Sequence, residues 1–164
     1  MPPDLRTRVK RAAFLLVFVW LVAYFFANVE IQIEGADGWA AKLPVTFRVE
    51  HHWLLDLFWG GRPMTGYHAW VFSFMALMFH LPLVAFGRWS PKLQLRTLAC
   101  VSQFWIVEDA LWFILNPAYG WSKLDPAHVP WHIHWILGVP TDYVTFGLVG
   151  FIAYAVSWWG KDLD

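Results

Sequence analysis

Residues 13–29, AFLLVFVWLVAYFFANV, run without a single charged side chain. No other feature restricts the fold as strongly. At about 1.5 Å per residue such a stretch comes close to crossing roughly 30 Å of hydrocarbon as a helix. Lipid offers the backbone no hydrogen-bonding partners, so only a helix or a closed barrel can satisfy it there. Arg6, Arg8, Lys10 and Arg11 lead into the stretch like the n-region of a signal peptide. No small-x-small cleavage pattern follows, so the segment reads as a retained helix.

Three further apolar segments, residues 69–87, 97–115 and 141–159, repeat the pattern. Asn116-Pro117 should stop the third, and Thr141 is a plausible N-cap for the fourth with Asp142 in its first turn. The 164 residues are 59% hydrophobic, with 13 Trp and 14 Phe, well beyond the usage of water-soluble domains. The expected fold is therefore an all-α integral membrane protein: one domain, residues 1–164, with four transmembrane helices.

The loops have a different character. Within residues 30–68, VEIQIEG alternates apolar and polar side chains, GADG is turn chemistry and LPVTFRVE again has strand character, which predicts a short β-hairpin. HHWLLDLFWGG follows, and its Trp53, Leu57, Phe58 and Trp59 suit an interfacial helix ended by Gly60 and Gly61. Residues 116–140 form the second long loop.

Lys and Arg placement orients the chain. Arg6, Arg8, Lys10, Arg11, Arg88, Lys92, Arg96 and Lys161 fall on one side, against Lys42, Arg48, Arg62 and Lys123 on the other. Both termini are expected in the cytoplasm, with the two long loops outside, as in a bacterial inner membrane. Acidic and basic residues balance at twelve each, which leaves no nucleic-acid footprint. The single cysteine, Cys100, cannot form an intrachain disulfide and reads as a packing residue.

Six of the seven histidines, His51, His52, His68, His128, His132 and His134, lie in or beside the two outer loops. Imidazole is the commonest metal ligand, and facing loops can supply several together. In PAHVPWHIHW, residues 126–135, His128 and His132 have helical spacing, whereas His132 and His134 have strand spacing. Pro130 disfavours a helix there, so His132 and His134 are the expected pair, joined by His51 and His52 from the first loop. The competing reading makes these imidazoles interfacial anchors beside Trp131 and Trp135. The HxxxH of His128 and His132 is a spacing shared with the His boxes of membrane desaturases, but the accompanying HxxHH boxes are lacking.

Glu108 and Asp109 carry a sharper physical signal, because an ionisable group within hydrocarbon costs about 2.5–3.5 kcal/mol on insertion scales. Metal ligation, pairing with an imidazolium or with Arg62, or protonation in an apolar pocket would each offset that cost. Both are candidate catalytic groups as well as candidate ligands. His68, His80, His128 and Asp142 are secondary candidates. His80 reads first as a helix-to-helix hydrogen-bond partner and otherwise as a haem ligand or proton relay. Asp142 is either a carboxylate that ligates or orients an imidazole, or a charge complementing a helix N-terminus.

Two functions compete at this level. One is a metal-dependent membrane hydrolase or oxidoreductase, with Zn or Fe and with Glu108 or Asp109 as ligand or base, acting on a lipid or isoprenoid substrate. The other is a non-catalytic subunit or assembly factor of a larger membrane complex, binding pigment, quinone or partner helices. Membrane lipid is a partner in either case, and a protein partner or a homo-oligomer is compatible with both.

Overall fold

A computed structural model describes residues 4–59 and 61–159, with residues 57–59 as backbone only. Gly60 and Lys161, used above for a helix end and for topology, lie outside the described residues, as do the side chains of Leu57, Phe58 and Trp59. The elements in order are α1 (Leu5–Glu34), β1 (Arg48–Val49), α2 (Trp53–Trp59), β2 (Met64–Thr65), α3 (Gly66–Ala85), α4 (Pro91–Leu115), β3 (Trp135–Ile136), β4 (Val139–Pro140) and α5 (Thr141–Ser157), with a single 3₁₀ turn at Trp121–Lys123. Three of these helices, α1, α3 and α4, are long and apolar enough to cross a membrane. α5 is apolar but shorter, at 17 residues.

α1 is longer than its uncharged stretch. Asp4 caps it by accepting the Thr7 N–H at 2.7 Å, and Gly35, at φ +64°, closes it by donating its N–H to Ile31 O. The strand expected at VEIQIEG is therefore absent: residues 30–34 are the last turn of this helix. The reason lies in the packing period. Val19, Ala23, Ala27 and Ile31 recur every fourth residue and are all buried, so a small-residue stripe that lets two helices approach continues into the supposed strand. Glu30 and Glu34 share that four-residue spacing.

α4 is the central helix. It packs along α1 on one side and α5 on the other, and α3 leans against it more lightly. Phe104, fully buried, sits in one apolar cluster with Val19, Ala23, Met75, Ala99, Cys100 and Tyr154, while Trp112 and Phe113 join Ala27, Ile31 and Val129 in another near the loops. Ser90 starts α4 by accepting the Leu93 N–H, with Pro91 at the first helical position. At this turn end of the bundle, Arg96 donates to Ser157 O at 2.7 Å and lies over the Trp158 ring at 3.6 Å, and the Tyr154 hydroxyl donates to Ala12 O at 2.6 Å. Three helices, α1, α4 and α5, are thus tied to one another at this end.

The loop end is built from two small antiparallel ladders. β1 pairs with β2, Arg48 opposite Thr65, rather than with residues 30–34 as the expected hairpin required. β3 and β4 form a hairpin whose central residues, Leu137 and Gly138, both have positive φ (50° and 79°), the geometry that matches strand twist in a two-residue turn. The N-cap of α5 falls on Pro140 and not on Thr141. Thr141 instead directs both its N–H and its hydroxyl back to His134 O, at 3.0 and 3.2 Å, fastening the hairpin to the helix.

Candidate functional site

The polar groups collect where the loop end closes over α4. Arg62, 6% exposed, reaches in from the segment between α2 and β2. Its Nη1 lies 3.7 Å from Asp109 Oδ1, its Nη2 contacts Asp142 Oδ2, and its guanidinium carbon stands 4.4 Å from the centre of the Trp39 ring. His132 bridges the same two carboxylates, with Nε2 3.2 Å from Asp109 Oδ2 and Nδ1 3.5 Å from Asp142 Oδ1. The Tyr143 hydroxyl donates to Asp109 Oδ2. Two cationic-type side chains and two carboxylates therefore close a ring that links α4, α5 and both loops.

This ring explains the titration of His132. Burial and the Arg62 guanidinium both oppose its charging, yet the close contacts with the Asp109 and Asp142 carboxylates prevail, and its pKa is raised above the ordinary 6.5.

Trp39 holds Arg62 from the far side. Gly38, Trp39 and Ala40 all have positive φ, at 47°, 47° and 55°, and for the latter two this is a conformation that L-residues adopt only when held there. The holding contacts are evident: Trp39 Nε1 donates to Pro63 O at 2.7 Å, Ala40 N donates to Glu34 Oε1 at 2.6 Å, and the Trp39 ring stacks on His68 at 3.8 Å. His68 in turn accepts the Thr65 N–H at Nδ1 (3.3 Å), with Thr65 Oγ1 2.8 Å away, so it fastens the start of α3.

Beside the ring lies a second acidic group. Tyr67 donates its hydroxyl to Glu30 Oε1 at 2.7 Å, and Glu30 and Glu108 line the same cavity. Glu108 is 2% exposed, and its Oε1 has no hydrogen-bond partner. One turn further along α4, the buried Trp112 Nε1 also lacks a partner. Both residues line a cavity of about 540 Å³ that continues past Trp105 to Leu98, Ala99 and Ala153.

The histidine pairs expected from spacing do not form. His132 turns inward, whereas His134 is exposed. His51 and His52 are exposed, with His52 Nδ1 accepting the Leu54 N–H, and Glu50 pairs with Arg48 at 2.5 Å on the surface. His128 is exposed and pairs with Asp125 at 2.8 Å. His80 places Nδ1 2.7 Å from Ala76 O and Nε2 2.8 Å from Gln94 Nε2, a link from α3 to α4.

Among the described residues, no three or more His, Cys, Asp or Glu side chains converge where they could hold a metal ion. This overturns the expected Zn or Fe site, the metal-dependent hydrolase or oxidoreductase built on it, and metal ligation by His51, His52, His132, His134, Glu108 and Asp109. The physical reason is Arg62: its guanidinium stands between Asp109 and Asp142, in the place a cation would take. Adjacent positions on a helix also point about 100° apart, so Glu108 turns to the cavity wall while Asp109 turns to the ring.

Glu30 and Glu34 were absent from the candidates because the alternating pattern assigned them to a strand. Their signal was a four-residue spacing of their own, each three residues after Ala27 or Ile31 and so beside that buried stripe. The architecture is that of a helical protein with membrane-type helices and a buried ionic ring over an aromatic cavity. The chain matches no known family, no curated protein and no solved structure.

Proposed function

We propose that the protein crosses the membrane four times and binds a single-chain amphipath in the cavity along α4. The observation that carries this reading is the pair of unsatisfied buried atoms, Glu108 Oε1 and Trp112 Nε1, lining a cavity that is otherwise mostly apolar. A buried polar atom without a partner costs roughly 1–3 kcal/mol. A ligand head bearing a hydrogen-bond donor removes that cost at Glu108 Oε1.

The shape of the cavity supports a chain-like ligand. Its lining runs from Leu95 to Phe113 on α4, roughly 27 Å at about 1.5 Å per residue. Leu98 and Val149, 51% and 62% exposed, stand at its side, so the cavity opens laterally between α4 and α5 towards what would be lipid. The polar head lies at the loop end and the tail points to the turn end. With the basic residues placing the termini in the cytoplasm, that is the orientation of an outer-leaflet lipid.

Two measurements test the reading. The topology requires Lys42→Cys, in the first long loop, to react with a membrane-impermeant maleimide from outside intact cells, and Arg88→Cys to react only after permeabilisation; the reverse pattern would overturn the orientation. For the ligand, protein purified in mild detergent should release an amphipath into the mass spectrometer. Ala76→Phe, which places a ring in the cavity from α3, should cut its recovery several-fold while leaving the melting temperature within a few degrees. Equal recovery from both proteins would refute a site in this cavity.

A further inference from the structure

We propose that the head group taken at this site is a protonated amine, so that long-chain amines are the ligand class; this rests on the amphipath reading above. The argument begins with charge. Five carboxyl groups, Glu30, Glu34, Glu108, Asp109 and Asp142, line the polar end of the cavity, against one guanidinium, Arg62, and one imidazole, His68, which is held by Thr65 and the Trp39 ring. Arg62 is committed to Asp109 and Asp142, which His132 also bridges. Among the described residues, none of Glu30, Glu34 and Glu108 is in an ion pair.

The neighbours that those three glutamates do have are donors without charge. Tyr67 donates to Glu30 and the Ala40 N–H donates to Glu34, which leaves Glu108 Oε1 as the open acceptor at the cavity wall. An ammonium group brings what is missing, a positive charge together with N–H donors directed at that oxygen. An anionic head would face three glutamates, and a neutral hydroxyl would satisfy the hydrogen bond without the charge. The walls beside Glu108 favour the same choice. Trp105 and Phe72 meet edge to face at 4.5 Å, and Trp112 lies one turn along, so aromatic rings surround the position of a bound cation.

The test uses the full chain in phosphatidylcholine nanodiscs, with hexadecylamine, hexadecanol and hexadecanoic acid as chain-matched probes, read by tryptophan fluorescence. Wild type should bind the amine at least about tenfold more tightly than the alcohol, the scale of a charge-assisted over a neutral hydrogen bond, and should bind the acid most weakly. Glu108→Gln keeps the shape and should lose most of that preference while retaining the alcohol; Glu30→Gln, one contact further from the open oxygen, provides a second variant should the first fail to fold. Amine and alcohol binding equally, or the acid binding best, with Ala76→Phe still weakening the probes, would overturn the amine assignment and leave the amphipath site standing. Binding of none of the probes, or binding indifferent to Ala76→Phe, would overturn both.

Discussion

Arg62→Ala should lower the melting temperature of the detergent-solubilised protein by roughly 10 °C. The substitution removes one partner from a buried ionic ring and leaves Asp109 and Asp142 with only His132 between them. Breaking a buried pair from one side costs about 3–5 kcal/mol, because the abandoned charge keeps its desolvation penalty and loses its compensation. For a chain of this length, 1 kcal/mol corresponds to roughly 2–4 °C. Arg62→Lys should fall in between, since an ammonium cannot span both carboxylates and lie flat against Trp39 as a guanidinium does. Removing all three charges together, as Arg62→Met with Asp109→Asn and Asp142→Asn, should recover much of the loss, as buried ion networks replaced whole are often neutral.

The same ring gives the stability a pH dependence of definite sign. His132 has a raised pKa, so folding favours its protonated form, and the stability it contributes is fully present below the unfolded value near 6.5 and is lost as pH rises through the higher folded value. In Arg62→Ala the opposing guanidinium is gone, which shifts this loss to still higher pH. His132→Gln should flatten that part of the profile in both backgrounds. An Arg62→Ala protein that melts with wild type across the range would show that the ring does not hold the loops to α4.

How much of this was legible in the sequence depends on which property a residue type fixes. The long helices were readable because surfaces facing lipid are apolar all round, and the uncharged runs within α3 and α4 lie inside the helices observed. The end of α1 was not, because V-E-I-Q-I-E satisfies a strand alternation and a four-residue helix period equally well. Only the buried partners of Ala27 and Ile31 on α4 decide between them.

In the candidate site, the cost of burying ionisable groups drew attention to Glu108 and Asp109, and both line the polar end of the cavity. Counting histidines failed for a directional reason. His132 and His134 are two residues apart, but strand geometry begins only at Trp135, so the alternation that would align them does not operate. What the sequence did hold was a lone arginine between Gly60-Gly61 and Pro63, and a base that ends up buried must meet acids. That constraint is met by Asp109 and Asp142, separated from Arg62 by 47 and 80 positions, a distance no local pattern spans.

Gly150→Leu should separate α4 from α5 and lower the melting temperature by roughly 5–10 °C. A Cβ at Gly150 would come 2.6 Å from Ser102 Oγ, 2.9 Å from Ser102 Cβ and 3.2 Å from Gln103 Nε2. Those two residues bind the helices together, with Ser102 Oγ donating to Phe146 O and Gln103 Nε2 to Gly147 O, each at 2.9 Å. A side chain there adds overpacking of about 1–3 kcal/mol to the loss of two interhelical hydrogen bonds worth roughly 0.6 kcal/mol apiece in a membrane setting. It would also disturb the ligand cavity, because Ser102, Phe146 and Gly150 all line it. Gly147→Ala is the matched control: its Cβ would meet Ile106 Cγ2 at an ordinary 3.6 Å, and alanine is about 1 kcal/mol better than glycine within a helix. Gly147→Ala should therefore melt at or above wild type, and losses of equal size at both positions would mean that the small residues matter for helix propensity and not for the approach of α5 to α4.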